Sequence, residues 1–282
     1  MRRNGYLRLI AIALGVYVVW VVATYLLEGR IHSFQSADPI ARITYVTVAN
    51  IAIGTVLTAI AIRHLVRTGL VNPSRLGLKK SWPRAASIIG AAYIGGLAIF
   101  ILQNPQTLEP QVVLNVFMQV MPVSIAEVMV CWGLIGSSFE SLIKRNRVAS
   151  VLLGAVITSV LFGVYHYAHS PPFNQTSMVM FLMLPSIATA LTYFLGRNIY
   201  AAIIVQNFMG VFGVLASLPT LEPYRQPMVP IYVLSAVSIA AVVISISVIL
   251  QRTAKKQEMA VKKVSRSSDE KEDSHSEGNI AE

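Results

Sequence analysis

The sequence is short of charge and nearly without cysteine. Only 13% of its 282 residues are Asp, Glu, Lys or Arg, about half the fraction usual in soluble domains. The charges also leave long gaps. Residues 9–27, 43–62, 85–108, 148–196, 198–221 and 226–251 contain none. Soluble core helices are not apolar over such lengths, whereas crossing ~30 Å of hydrocarbon takes ~20 apolar residues. A soluble enzyme, a nucleic-acid-binding domain and a secreted disulfide scaffold are therefore excluded. The single cysteine, Cys131, forms no intrachain disulfide, and no CxxC or Cys/His cluster offers a zinc site. It reads as a small packing residue within a helix.

What the chain has instead is apolar length. Hydrophobic residues make up 55% and the mean hydropathy is +0.62. The expected fold is all-α, a polytopic transmembrane bundle of eight spans. These are Leu7–Leu27, Ile43–Val66, Ala85–Leu102, Val112–Phe139, Val148–Tyr167, Ser177–Leu195, Ile199–Leu218 and Val229–Leu250. The uncharged run 148–196 is divided by the turn-forming stretch from His169 to Thr176, which includes Pro171-Pro172. The first span is followed by Tyr25-Leu26-Leu27-Glu28-Gly29-Arg30 rather than a small-x-small cleavage site, so it is expected to be retained. Residues 1–250 form the bundle. Residues 251–282 are polar and poor in aromatics, a composition expected of a disordered cytoplasmic tail.

The net charge is +10, and its placement carries more than its size. Of the 23 Lys and Arg residues, all but Arg30, Arg42 and Arg225 fall in the N-terminus, the second, fourth and sixth connections, and the tail. The positive-inside rule then places both termini in the cytoplasm. Anionic lipid headgroups are the expected partners of this basic surface. No basic stripe interleaved with exposed aromatics suggests nucleic acid. The expected location is the cell membrane, with multiple passes.

Ionisable side chains are kept inside membranes where something needs them. Twelve of the 13 acidic residues lie in connections, at span ends or in the tail; Glu127 alone sits within a span. Charged and unpaired, it would cost ~2.5–3.5 kcal/mol there. It is therefore protonated and hydrogen-bonded to a neighbouring helix, or part of a functional site. In the fifth span Phe162, His166 and His169 are spaced i, i+4, i+7 and share one helical face. The seventh span carries adjacent amides, Gln206 and Asn207, with Gly210 one turn on from Gln206. Either they bond between helices, or one completes a site begun by Glu127 and His166.

Together these positions resemble the CPBP family of intramembrane metalloproteases, which includes the type II CAAX prenyl endopeptidases and bacteriocin-processing or immunity relatives. The resemblance covers residues 112–218. The family carries EExxxR, FxxxH and HxxxN or HxxxD on successive core helices. Here the first motif keeps Glu127 and a following Gly133, but has Val128 and Trp132 at the second glutamate and the arginine. The second is intact from Phe162 to His166. The third has Gln206 for the histidine and Gly210 for the Asn or Asp.

The resemblance implies hydrolysis of a membrane-associated or transmembrane peptide by water activated at a buried site. Glu127 and His166 are the implied catalytic residues. His166 and Gln206, with His169 if it turns inward, are the implied metal ligands, and zinc is the implied metal. Glu127 is expected to face His166 within direct or one-water hydrogen-bond reach. The competing expectation is a catalytically degenerate relative acting as a scaffold, chaperone or immunity factor. A transporter would show matched Gly/Pro-broken spans in two halves, and none stands out.

Overall fold

The computed structural model describes residues 3–36, 38–76, 82–143 and 145–249. The tail 251–282 lies outside the described residues. Among them, eight helices are long and apolar enough to cross a membrane. They are α1 (Asn4–Gly29), α2 (Pro39–Arg67), α3 (Pro83–Leu102), α4 (Pro110–Glu140), α5 (Arg147–Ala168), α6 (Thr176–Gly196), α7 (Ile199–Ser217) and α8 (Val229–Ile249). All eight expected spans are present, with ends displaced by a few residues. The chain is a multi-pass membrane protein.

Helices suit this setting because they bond their own backbone groups where no water can. Their starts are set by ordinary capping chemistry. Asp38 accepts from the Ile40 amide at 2.9 Å ahead of Pro39. Asn146 accepts from Ala149 at 3.0 Å, and Asn198 from Tyr200 and Ala201 at 3.0 and 3.2 Å. Each cap satisfies amides the first helical turn leaves unbonded.

The longest helix, α4, runs through the centre. Every residue from Gln119 to Ser138 is buried. Helices α1, α2, α5 and α7 pack against it, and α8 reaches it through the bonds of Ser235 to the Met118 carbonyl and of Tyr232 to Asn115. The α2 contact is close because Gly54 has no side chain; a Cβ there would collide with the Cβ of Ala126. Helix α6 lies between α5 and α7 and packs on both. The four helices α4 to α7 thus form a ring in which α6, given no role by the sequence, is a full member.

Wide π turns occupy Val46–Leu57 in α2 and Val128–Gly136 in α4. The second begins directly after Glu127. Such turns are uncommon and cluster at functional sites.

The two ends of the bundle are tied differently. At one end Arg197 forms a two-pronged ion pair with Glu140 and also donates to the Arg75 carbonyl at 3.0 Å. At the other end the connections α1–α2, α5–α6 and α7–α8 are joined through Glu28, Phe34, Ser170 and Tyr224, as described below.

Candidate active site

Glu127 sits on α4 at the last residue before the wide turn and is 5% exposed. Its carboxylate Oε2 accepts from Gln206 Nε2 at 2.7 Å. The oxygen of that amide accepts from the Thr189 hydroxyl of α6, also at 2.7 Å. The carboxylate only accepts and so takes the amide nitrogen, which leaves the amide oxygen to accept from the hydroxyl. The direct partner of Glu127 is therefore Gln206. Glu127 and His166 face the same cavity, as expected, without a direct hydrogen bond between them.

His166 begins the single 3₁₀ turn that ends α5. Its Nδ1 lies 2.8 Å from the Phe162 carbonyl. A carbonyl only accepts, so Nδ1 carries the proton and Nε2 presents a lone pair. The FxxxH spacing gives this bond its geometry: positions i and i+4 meet on one helical face. The Phe162 ring also packs edge-on to the imidazole, with centroids 4.6 Å apart.

His169 does turn inward. It is 5% exposed and stacks on His166 at 5.2 Å with an interplanar angle of 19°. Its Nε2 has no hydrogen-bond partner among the described residues. Burial, together with the adjacent His166, holds its imidazole well below the usual histidine range, so the ring is neutral at physiological pH.

Glu127, His166, His169 and Gln206 all line one cavity of about 70 Å³. That is several times the ~10–15 Å³ one water needs, and the wall has the polar partners a water requires. The rest of the lining is mostly apolar and includes Phe34, Phe162, Phe173, Pro185 and Val214. A small polar cluster in an apolar cavity is the usual build of a ligand or reaction site.

The departures from the family motifs have physical reasons. Val128 and Trp132 are both 0% exposed. Trp132 packs on Phe162 at 5.3 Å, in a position that would leave a carboxylate or guanidinium desolvated. Gly210 marks the close approach of α7 to α4, since a Cβ there would lie 2.6 Å from Val120 Cγ1. An Asn or Asp at position 210 would need that contact to open.

The donor set does not fit a three-ligand zinc centre. Among the described residues no three His, Cys, Asp or Glu side chains gather as a metal-binding group. Gln206 turns its nitrogen toward the carboxylate, and its oxygen is taken by Thr189.

Sequence reasoning missed the roof of the cavity. Glu28, classed with the connections, is 0% exposed. It accepts from the Phe34 amide at 2.7 Å and from the Ser170 hydroxyl at 2.6 Å. The Phe34 carbonyl accepts from Tyr224 at 2.9 Å. Arg42, also buried, donates to Gln119 at 3.1 Å and to the Pro223 carbonyl at 3.0 Å, and lies over the Tyr224 ring. No pattern of spacing marks these residues, because Glu28 meets Ser170 at a separation of 142 positions, Phe34 meets Tyr224 at 190 and Arg42 meets Pro223 at 181. Thr189 was missed as well. In an apolar span it resembles threonines such as Thr192, which bonds back to the Ala188 carbonyl of its own helix at 2.8 Å.

Residues 109–212 match the family model described as Type II CAAX prenyl endopeptidase Rce1-like. The match spans all three motif positions and agrees with the CPBP resemblance. No curated protein and no solved structure matches the chain.

Proposed function

We propose that this protein is an intramembrane endopeptidase of the type II CAAX prenyl endopeptidase-like kind, with Glu127 as the general base. The observation that carries the proposal is the convergence of Glu127, His166, His169 and Gln206 on one cavity in the helix bundle. A water in that cavity gives its proton to the Glu127 carboxylate as its oxygen attacks the scissile carbonyl. Glu127 then passes the proton to the departing amine nitrogen. His166 orients the water, since its free Nε2 accepts a hydrogen bond. Gln206 keeps the carboxylate aimed, and its second amide hydrogen supplies a donor for the developing oxyanion. The apolar lining excludes bulk water, which strengthens each of these interactions.

A second reading has its own support. Gln206 occupies the family's histidine position and caps the carboxylate that would act as base. A relative that has lost catalysis and holds a partner helix would carry such a satisfied pair.

The two readings part on Glu127→Gln. The amide preserves shape and most hydrogen bonding but accepts no proton from water. Membranes from cells producing wild type or the variant at equal levels are compared for newly generated protein N-termini. Endopeptidase action predicts a set of cleavage products present with wild type and lost with Glu127→Gln. Identical sets would remove the general-base role.

A further inference from the structure

The catalytic candidates stand on α4, α5, the connection after it and α7, yet α6 supplies part of the wall around them. Leu182, Pro185 and Ser186 line the cavity. Thr189 lies one turn on from Ser186, on the same helical face, and is 0% exposed.

A hydroxyl inside a helix has an acceptor close at hand, a carbonyl three or four residues back. The neighbours of Thr189 use it. Ser186 donates to the Met183 carbonyl at 2.6 Å and Thr192 to that of Ala188 at 2.8 Å. The Thr189 hydroxyl instead leaves α6 and donates to Gln206 Oε1 at 2.7 Å. That amide is the one whose nitrogen serves Glu127.

Gln206 reaches Glu127 on a long, flexible side chain, and its amide offers an oxygen at one corner and a nitrogen at the other. While Glu127 is a carboxylate it selects the nitrogen, because it only accepts. The selection ends once Glu127 holds the proton taken from water, since a carboxylic acid also donates. An amide free to turn would then offer its oxygen to that proton. The proton would stay with the amide instead of passing to the departing amine nitrogen, and the amide hydrogens would point away from the oxyanion. The Thr189 bond opposes this turn. Turning breaks the hydroxyl's bond to the amide oxygen at a position closed to solvent, where nothing replaces it.

We infer that Thr189 is a positioning residue: its hydroxyl holds the Gln206 amide with the nitrogen toward Glu127 throughout the reaction. A span that carries no catalytic side chain thereby sets the geometry of the catalytic pair. The hold on the amide stands apart from the endopeptidase reading; its effect on the reaction rests on that reading.

Two variants separate the hydroxyl from packing. Thr189→Val keeps the shape and removes the hydroxyl. Thr189→Ser keeps the hydroxyl and removes a methyl group. Both are compared with wild type at matched membrane accumulation. The first measurement is hydrogen exchange of the Gln206 side-chain amide, followed by NMR of protein carrying isotope-labelled glutamine in detergent micelles. The resonances are assigned by their loss in Gln206→Leu. Thr189→Val should speed exchange by about tenfold, the worth of one buried hydrogen bond, and Thr189→Ser should stay near wild type. The second measurement is the rate at which membranes generate the N-termini that depend on Glu127. Thr189→Val should slow it by about tenfold, whereas Thr189→Ser should keep most of it.

A packing role gives the reverse order, since valine fills the space of threonine and serine leaves a void. Exchange unchanged in Thr189→Val, or sped only in Thr189→Ser, would overturn the inference. So would Glu127-dependent cleavage that Thr189→Val leaves at the wild-type rate. If exchange responds as expected but Glu127→Gln leaves the N-termini unchanged, Thr189 holds the amide and the endopeptidase reading alone falls.

Discussion

Replacing Gln206 with leucine isolates the energetics of the site. Gln206 bonds in two directions, donating to Glu127 and accepting from Thr189, both at 2.7 Å. Leucine keeps most of the volume and removes both bonds. The Thr189 bond resembles other interhelical bonds in membranes, worth ~0.6 kcal/mol and at most ~1.7. The Glu127 side is costlier, because a 5% exposed carboxylate is left without its donor, and an unsatisfied buried group costs ~1–3 kcal/mol. The variant should lose about 2–3 kcal/mol of stability in total. Glu127→Leu alone should also destabilise, by orphaning the amide nitrogen. The double variant Glu127→Leu/Gln206→Leu removes donor and acceptor together. It should be more stable than the sum of the single losses by at least ~1 kcal/mol, since replacing both partners by apolar groups is often nearly neutral. Helical content followed through a detergent-denaturant titration in mixed micelles measures all three. Losses that add within ~0.3 kcal/mol, the range for independent sites, would refute an energetic link between the two side chains.

Other expectations concern the positions around the site. Gly210→Asn, which restores the family's residue, should destabilise by ~1–3 kcal/mol through overpacking, and Val120→Ala should recover much of that; thermal unfolding in detergent reads both. Glu28→Ala removes acceptors from the Phe34 amide and Ser170. It should leave the bundle folded but speed protease cleavage within residues 30–38 and 169–175; unchanged cleavage would mean that Glu28 does not hold the roof. Trp132→Arg also restores a family residue, yet it places a cation at a 0% exposed apolar position, at a cost of ~2.5–3.5 kcal/mol or more. Its accumulation in the membrane, measured by quantitative blotting, should fall sharply.

Much of the fold was legible from the sequence because membrane spans announce themselves locally. An uncharged run of the right length is sufficient, and all eight spans could be read without knowing their neighbours. Glu127 was legible for the same reason, as an acid where acids are expensive. The shared face of Phe162 and His166 followed from spacing within one helix; the hydrogen bond to the Phe162 carbonyl was found only in the structure. What escaped notice was set by distant partners. Whether Glu127 met His166 or Gln206 depended on how α4, α6 and α7 turn relative to one another, and the wide turns in α4 alter that rotation. Glu28 and Arg42 looked like end-of-helix charges, and only the folded chain reveals them as buried ties. Gly210 read as a lost functional residue, while the structure gives it a packing reason.

The wide turn that follows Glu127 has a consequence for how motif spacing is read. In an ordinary α-helix, residues five apart point well away from each other. In a turn closed by i→i+5 bonds, the fifth residue comes back above the first. Glu127 and Trp132 are separated by that interval, and the turn runs from Val128 to Gly136. Phe162 and His166, four apart on an ordinary helix, stack in the facing column, with Trp132 against Phe162. A spacing of five on one helix is thereby brought into step with a spacing of four on the other. Deleting one residue between Val128 and Gly136 would act less as a shortening than as a twist. It would swing Ser137 to Glu140, and the ion pair with Arg197, around the helix axis relative to the site above.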